Sequence, residues 1–281
     1  MANEKSLLRR DHDMYVIDLL NSPFKSDMAT MEAPIFSLSK KDTKVWEWGS
    51  VDGKKRVTVV PTQLYGRATI FDKDIILFAL GCMVANLNSG KPISKTIRFT
   101  GYSYFIATGK CPSGANYIKL DQALSRLATT NLQTNIITGN EEIKSTFHIL
   151  DSGSIYKVDG VTKGIEIVLS DWIFNSVFSL DVLTIDPGYF NLSGAVERRL
   201  YEIAKKHCGN QGVWSIGLSN LKLKAGSRTS DREFKRMFNE VRSKNRLPEY
   251  GVLLNKGMVY FYQKGLEHQE KVVKKLAKLY G

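Results

Sequence analysis

The order in which helical and β-type patterns follow one another constrains the fold of this 281-residue chain more than any other feature. Three helical patterns followed by β-rich runs occupy residues 72–169, and the same order returns at 195–263. The second round closes with EYGVLLNKGMVYFYQKG, which predicts a hairpin turning at 255–257. Three helices followed by a hairpin are typical of the winged helix, a variant of helix-turn-helix. The sequence therefore predicts an α+β chain with two tandem winged-helix domains.

These patterns divide the chain into three predicted parts. Residues 1–64 form an N-terminal segment that packs on the first domain and contains a hairpin, VWEWGSVDGKKRVTVV, turning at 51–54. Residues 65–185 form the first winged-helix domain. Residues 186–281 form the second winged-helix domain, which is basic and ends in a helical tail.

The stretch RTSDREFKRMFNEVRSKNR, residues 228–246, has a clear helical period that Ser230 or Thr229 can cap. Its apolar residues recur at i, i+3, i+4 and i+7 and so share one face that a folded domain would bury. They are Phe234, Met237, Phe238 and Val241. The opposite face carries basic and hydrogen-bonding side chains: Arg232, Lys235, Arg236, Asn239, Ser243 and Arg246. This face is either solvated surface or a surface that binds an anion, and the pattern alone leaves both open.

The formal net charge of +12 is concentrated in the last third of the chain. Residues 193–281 hold 19 Lys and Arg against 8 Asp and Glu, whereas the other 192 residues hold 21 against 20. Solubility requires no such clustering, so a localised surface for a polyanion is favoured, nucleic acid rather than an acidic membrane. No apolar run reaches the ~20 residues of a membrane span, and MANEKSLLRRDHD lacks the apolar core of a signal peptide. We therefore expect a cytoplasmic protein.

Cysteine and histidine residues are too scattered to indicate a disulfide framework or a metal site. The cysteines are Cys82, Cys111 and Cys208, all expected to be buried thiols, and the histidines are His12, His148, His207 and His268. The spacing of the histidines provides no His-x-His pair of the kind that nicking initiators use. His207 and Cys208 are interpreted as the end of a helix, with the imidazole favoured by the helix dipole and the thiol packed inward.

Two further patterns resemble catalytic elements without meeting their requirements. In the stretch that ends LNSGKPIS, Ala85 stands where a phosphate-binding loop needs glycine, and Pro92 replaces its Ser or Thr. Asp72 and Asp74 are explained by the start of a helix, where Asp72 is a candidate cap. We therefore expect no catalytic residues, no metal, no cofactor and no enzymatic activity.

Several blocks of sequence resemble one known family. They are MEAPIFSLSKK (31–41), ATIFDKDI (68–75), VLSDWIF (168–174) and ERRLYEIAKKHCG (197–209) followed by WSIGL. In their order and spacing these blocks resemble the replication initiator protein A family of bacterial plasmids, from roughly residue 12 to 250. Two features depart from the family: Ala33 stands where histidine is usual, and the tail from about Glu267 has no recognised counterpart.

The resemblance implies a plasmid initiator with tandem winged helices that binds iteron repeats at the origin of replication. Such a protein would help to open an adjacent A+T-rich segment and recruit the host initiator and replicative helicase. It would also repress its own promoter, often as a dimer, and would be associated with the nucleoid or plasmid. No nuclease activity and no cofactor are implied. The strand TNLQTNII either pairs across the two-fold axis of a dimer or is covered within the monomer.

Residues 228–246 are then predicted to be the recognition helix of the second domain. The candidates for contact with base edges are Arg228, Arg232, Lys235, Arg236 and Asn239. The candidates for contact with phosphates are Lys222, Lys224, Arg246 and Lys256, with Lys119 and Arg126 on the first domain's helix at 113–127. An arginine fork can meet O6 and N7 of guanine together. The alternatives are a repressor or partition-type adaptor without initiator activity, and a nucleic-acid enzyme with an acidic site that the patterns do not reveal.

Overall fold

The computed structural model describes residues 23–278 except 51, 52, 54, 139, 140 and 180. The chain is α+β and divides into two compact units. Among the described residues, the first unit contains 23–27 together with Ile35–Ile185, and the second contains Met28–Pro34 and 186–278. The segment Met28–Pro34, which includes helix α1 (Met28–Glu32), therefore belongs to a different unit from its sequence neighbours.

The first unit combines four helices with three antiparallel sheets in the described residues. Its strands are β1 (Phe24–Asp27), β2 (Trp46–Gly49), β3 (Lys55–Val60), β4 (Thr96–Phe99), β5 (Asn131–Thr138), β6 (Glu141–His148), β7 (Leu150–Val158), β8 (Val161–Leu169) and β9 (Val182–Ile185). Its helices are α2 (Lys73–Asn88), α3 (Gly101–Ala107), α4 (Gly114–Thr129) and α5 (Asp171–Phe178). The strand orders are β1-β9, β2-β3-β5-β6 and β4-β8-β7.

The predicted N-terminal hairpin is present, since β2 and β3 pair antiparallel from Trp46 opposite Val59. Of its predicted turn, residues 51, 52 and 54 lie outside the described residues. Strand β5, which contains most of TNLQTNII, lies between β3 and β6. Its backbone groups are paired on both sides, so of the two alternatives the strand is covered within the monomer rather than open to pairing across a two-fold axis.

Helix α2 forms the centre of the first unit because its apolar run is buried on every side over the first three turns. The Phe78 ring meets Phe99 and Tyr104 edge-on, with centroids 5.1 and 5.5 Å away. The predicted cap role of Asp72 is not observed, because its side chain makes no cap hydrogen bond. Its Oδ2 instead accepts a hydrogen bond from the Thr69 backbone N–H at 2.7 Å.

The second unit is a three-stranded antiparallel sheet with helices. Its further elements are α6 (Ala195–Cys208), β10 (Val213–Gly217), α7 (Leu218–Ala225), α8 (Asp231–Lys244), β11 (Tyr250–Asn255), β12 (Met258–Gln263) and α9 (Leu266–Lys278). The strand order is β10-β12-β11. Helix α6 packs against α1, α7, α8 and the sheet, so it is the central helix of this unit.

The two units share one topology. In the first, α2, β4, α3, α4, β7 and β8 follow in order, and in the second, α6, β10, α7, α8, β11 and β12 do so. In both sheets the strand after the first helix pairs with the last strand, which gives the orders β4-β8-β7 and β10-β12-β11. The first unit differs by an insertion, because β5 and β6 lie between α4 and β7 in sequence and join the sheet of β2 and β3.

The structure corrects the predicted order of three consecutive helices in the second domain, because the second of these helical patterns, WSIGLSNLKLKAG, begins as a strand. Val213–Gly217 form strand β10, paired with β12 from Val213 opposite Tyr262 to Gly217 opposite Met258. Valine, tryptophan and isoleucine favour strands, and pairing with β12 stabilises the strand conformation here. The helix α7 begins only after this strand, at Leu218.

The sequence predicted that Met28–Pro34 would belong to an N-terminal segment on the first domain, but the structure places it in the second unit. Buried Arg199 of α6 explains this difference. Its Nη1 donates to the backbone oxygen of Thr30 at 3.2 Å, and its Nη2 donates to the backbone oxygen of Glu32 at 3.1 Å. Nη2 also donates to the backbone oxygen of Lys224 at 2.9 Å. A buried guanidinium needs such acceptors, so Met28–Pro34, called the strap below, is fastened to the second unit.

Candidate nucleic-acid interface

Helix α8 begins at one of its two predicted caps and buries most of its predicted apolar face, but it ends at Lys244, two residues before the predicted stretch 228–246 does. Ser230 Oγ accepts a hydrogen bond from the Glu233 backbone N–H at 3.2 Å and caps the start of the helix. The residue that follows the helix is Asn245, whose φ of 45° is left-handed. Phe234 and Phe238 are 1% and 0% exposed, so the apolar face is core and the charged face is directed to solvent.

Three cations on the solvent face of α8 are exposed: Arg232, Lys235 and Arg242. None of the three makes an ion pair or hydrogen bond with any residue that the structure describes. At 100° per residue they lie within an arc of about 80° along three turns of the helix. We call these three residues the cationic stripe. Their charges are available to a ligand, because no intramolecular carboxylate must first be displaced.

Arg236, also predicted to contact bases, is held by two carboxylates of its own helix. Its Nε and Nη2 donate to Glu233 at 3.0 and 2.7 Å, and its Nη1 lies 3.5 Å from Glu240. The hydrogen bond to Glu233 raises the pKa of the Arg236 guanidinium. The side chain is 62% exposed, so the pair is screened by water and can open, but the free protein presents little net charge at this point.

Asn239 does not project from the helix as predicted. The residue is half-buried, and its Oδ1 is enclosed without accepting a hydrogen bond from any described residue. A base edge could not reach this oxygen in the observed conformation. The prediction that Asn239 contacts bases therefore does not agree with the side-chain position, because the residue lies at the border between the polar and apolar faces.

Two residues expected to contact phosphate are paired within the second unit. Lys222 Nζ lies 2.6 Å from Asp231 Oδ1. Arg246 Nη2 lies 3.2 Å from Glu197 Oε1, although its side chain remains 51% exposed. Both side chains would have to leave a carboxylate before contacting a phosphate, which reduces the net electrostatic gain.

The remaining candidates in the second unit lie on exposed connections. Arg228 precedes α8 in the loop after α7, and its side chain is exposed. Lys256 is exposed at the turn between β11 and β12, where its φ is 42°. The structure therefore keeps both residues at the surface, one before the cationic stripe in sequence and one at the tip of the hairpin.

The first unit offers less positive charge on its third helix, α4. Lys119 is exposed and donates to Asn116 Oδ1 at 3.2 Å. Arg126 was expected to contact phosphate, but its Nε and Nη2 both donate to Asp72 at 2.7 Å, and its side chain is only 18% exposed. The hydrogen bond to Asp72 raises the pKa of Arg126. Arg126 is therefore a structural residue that joins α4 to the start of α2.

Arg242, which completes the cationic stripe, was not among the residues predicted from sequence. It lies seven residues after Lys235 and therefore two helical turns further along the same face. That spacing was visible in the sequence. Arg242 differs from its neighbour Lys244 in its partners, because Lys244 Nζ lies 2.5 Å from Glu240 Oε1, four residues earlier, while Arg242 has no carboxylate partner among the described residues.

The strap contributes a carboxylate that neutralises basic residues of α6 and α7. Glu32 bonds to the Lys224 ammonium, lies 2.9 Å from Lys206 Nζ and lies 3.3 Å from His207 Nε2. Burial alone would raise the pKa of the Glu32 carboxyl, but the imidazole and two ammonium groups beside it hold that pKa well below its usual range. Lys224, predicted to contact phosphate, is instead a partner of the strap and only 13% exposed.

The strap also packs against the turn that leads into α8. Gly226 follows α7 with a φ of 73°, and a Cβ at this position would lie 2.5 Å from the Pro34 Cβ. Only glycine fits both the left-handed conformation and this close approach. The strap thus fixes the path of the chain between α7 and the recognition helix.

We expect the contribution of Glu32 to stability to disappear in acid. Since its pKa is depressed in the folded chain, that contribution is fully present above the ordinary glutamate pKa of about 4.3 and is lost as pH falls below it. Glu32→Gln should therefore unfold at a lower urea concentration than the parent at neutral pH, with a smaller difference in acid. Urea unfolding at both pH values measures this, and a difference independent of pH would contradict the role of the charge.

The end of α6 agrees with its prediction as a packed helix terminus. The His207 imidazole stacks on Trp214 with centroids 4.3 Å apart. Cys208 is fully buried, and burial raises the pKa of its thiol to about 12. Cys82 is also buried, whereas Cys111 is exposed, so the expectation of three buried thiols was wrong at Cys111, which lies in the loop before α4.

Neither a metal-binding cluster nor a membrane-spanning helix is present in the part of the chain that the structure describes. No group of three or more His, Cys, Asp or Glu residues is arranged to hold a metal ion there. The described helices also include none with the length and apolar character needed to cross a membrane.

Comparison with known proteins identifies the family to which this chain belongs. A model of the family described as Replication initiator protein A matches residues 25–252. A protein of Wigglesworthia glossinidia brevipalpis, named as a proposed replication protein, is 37% identical over 248 residues, which cover 85% of this chain and 87% of that protein. This chain therefore belongs to the replication initiator protein A family.

Two solved structures have a fold similar to that of this chain. A crystal structure of domains 2 and 3 of RctB is similar with a TM-score of 0.61 at 14% sequence identity, covering 85% of this chain and 98% of that one. A second structure of RctB domains 2–3 gives a TM-score of 0.57 at 13% identity, covering 86% of this chain and 99% of that one. At these identities the likeness concerns the fold.

Proposed function

We propose that this chain is a sequence-specific double-stranded DNA-binding initiator of plasmid replication built from two tandem winged helices. The same order of helices and strands, with the same sheet order, occurs in both units and supports a winged helix in each. In that architecture the third helix enters the major groove and the hairpin lies beside the DNA backbone. Those elements are α8 and the β11–β12 hairpin in the second unit.

The cationic stripe is the observation that carries this proposal. Three exposed cations on the third helix, without carboxylate partners in the described residues, are arranged in the way that a phosphate-lined groove requires. Arg232, near the helix start, is the candidate for a bidentate contact with guanine. Lys235 and Arg242 contact bases or phosphates further along the groove, Arg228 contacts base edges from the loop before α8, and Lys256 contacts phosphates outside the groove.

The first unit is proposed to make weaker backbone contacts. Lys119 and Arg126 are the two residues of α4 predicted to contact DNA. Of these two, Lys119 is exposed, whereas Arg126 is paired with Asp72. Sequence-independent contacts position a protein on its site without reading bases. Binding by this unit should therefore add affinity rather than specificity.

Family membership supports the finer parts of the proposal. The DNA targets are iteron repeats at the origin and the protein's own promoter, and binding at the iterons promotes opening of the adjacent duplex. The protein recruits the host initiator and replicative helicase, and a homodimer acts at the promoter. It acts in the bacterial cytoplasm by binding rather than by catalysis and uses no cofactor.

Footprinting the protein on the genetic element that encodes it tests this function. We expect protection of several tandem repeats beside an A+T-rich tract, because an initiator must concentrate protein where the duplex opens. Protection of a single palindrome over a promoter would favour a repressor without initiator activity. Absence of any protected sequence, with binding to all duplexes equal, would contradict sequence-specific recognition.

A further inference from the structure

The C-terminal helix α9 presents a second row of cations. Lys271, Lys274, Lys275 and Lys278 recur at i, i+3, i+4 and i+7 and are all exposed. They therefore share one face of the helix, within an arc of about 100°. Glu267 lies on the same face, so the net charge of this row is smaller than its number of lysines.

The cations of this row are largely unpaired. Lys274 Nζ lies 3.6 Å from Glu270, and both side chains are highly exposed, so this pair contributes little. Lys271, Lys275 and Lys278 make no ion pair with the residues that the structure describes. In this they resemble the cationic stripe and differ from Lys222, whose charge is cancelled within the unit.

Helix α9 packs on strands β12 and β10 of the sheet, as α6 also does. Trp214 of β10 and Phe261 of β12 stack 5.9 Å apart on the face where Trp214 also contacts His207 of α6. Tyr260 must point to the other face, because side chains alternate along a strand. It is nevertheless only 2% exposed, and α9 packs on β12 with Val272 buried at 1% exposure.

The polar side of α9 is therefore the side considered for a ligand. Val272 of its apolar side is buried where the helix packs on the sheet, so this residue is not available to enter a membrane. The family match ends at residue 252, before α9 begins, so membership of the family assigns this helix no role. The available chemistry is a row of ammonium groups, which matches the regular charges of a phosphodiester backbone.

We propose that the lysines of α9 form a second, sequence-independent binding surface for the backbone of duplex DNA, on a different helix from the cationic stripe. This inference rests on the proposed function, since it extends the contact of the same unit with DNA. The surface reads no bases, because lysines on an exposed helix face provide point charges without the fork that recognises guanine. Its ligand is the phosphate backbone of the duplex.

The test compares the full-length parent with the double variant Lys271→Gln, Lys275→Gln. Glutamine keeps the helix propensity and removes only the charges. The control is Lys40→Gln, Lys41→Gln, which removes two exposed charges from the first unit. Binding to a random duplex of about 40 base pairs, several helical turns, is measured over a salt series, together with binding to vesicles containing anionic lipid.

We expect the α9 variant to bind the duplex about tenfold more weakly and to flatten the slope of log affinity against log salt by about two units. The control should keep the parent slope. An α9 variant that behaves like the control overturns the proposal, and so does a variant that loses vesicle binding while DNA binding is unchanged. If the parent itself does not bind duplex, the proposed function fails instead, and the two failures are thereby distinguished.

Discussion

Replacing Arg199 with alanine is expected to destabilise the folded chain by about 3–5 kcal/mol, because one partner of a buried ion pair is removed and the other is left alone. Arg199 Nη1 lies 3.1 Å from Glu202 Oε2, and the two side chains are 3% and 2% exposed. Burial lowers the pKa of the guanidinium, although Glu202 partly offsets this. The backbone oxygens of the strap and of Lys224 lose their donor as well.

Urea unfolding followed by circular dichroism measures this effect. Arg242→Ala is the matched control, since it removes an exposed arginine from the same unit and should change stability by less than about 0.5 kcal/mol. The double variant Arg199→Ala, Glu202→Gln should recover part of the loss, because the carboxylate left without its partner is removed. An Arg199→Ala variant as stable as the parent would show that the strap is not fastened through this residue.

The elements near the recognition helix could be predicted from sequence because their signals are local. The period of Phe234, Phe238 and Val241 identified the buried face of α8, and Ser230 identified its first turn. The turn at Lys256 likewise followed from a short stretch between two β runs. Strand β10 was missed because its five residues adjoin a helix, and only pairing with β12 makes them a strand.

The availability of each cation could not be predicted, because it depends on carboxylates that are distant in sequence. Lys224 bonds to a residue 192 positions away, and Arg126 bonds to one 54 positions away. Composition and helical period place a positive charge on a face, but they do not show whether a folded neighbour cancels it. Pairs within one helix, such as Arg236 with Glu233 and Lys244 with Glu240, could be read from their spacing of three and four residues.

The cationic stripe is expected to dominate DNA binding. The triple variant Arg232→Ala, Lys235→Ala, Arg242→Ala should flatten the slope of log affinity against log salt by roughly three units, since up to three phosphate contacts are lost. Where Arg232 reads a base, its loss should cost a further 1–3 kcal/mol or so on the specific site alone, so specificity falls together with affinity. Stability should change little, because all three side chains are exposed.

Lys244→Ala provides the matched control on the same helix. Its ammonium is 2.5 Å from Glu240, so its charge is already cancelled in the free protein, whereas Arg242 two residues earlier has no such partner among the described residues. The decisive measurement is the binding of parent, triple variant and control to the footprinted site and to a random duplex over a salt series. We predict that the triple variant loses affinity and specificity, whereas Lys244→Ala binds like the parent. A triple variant that binds both duplexes as the parent does would contradict recognition by α8.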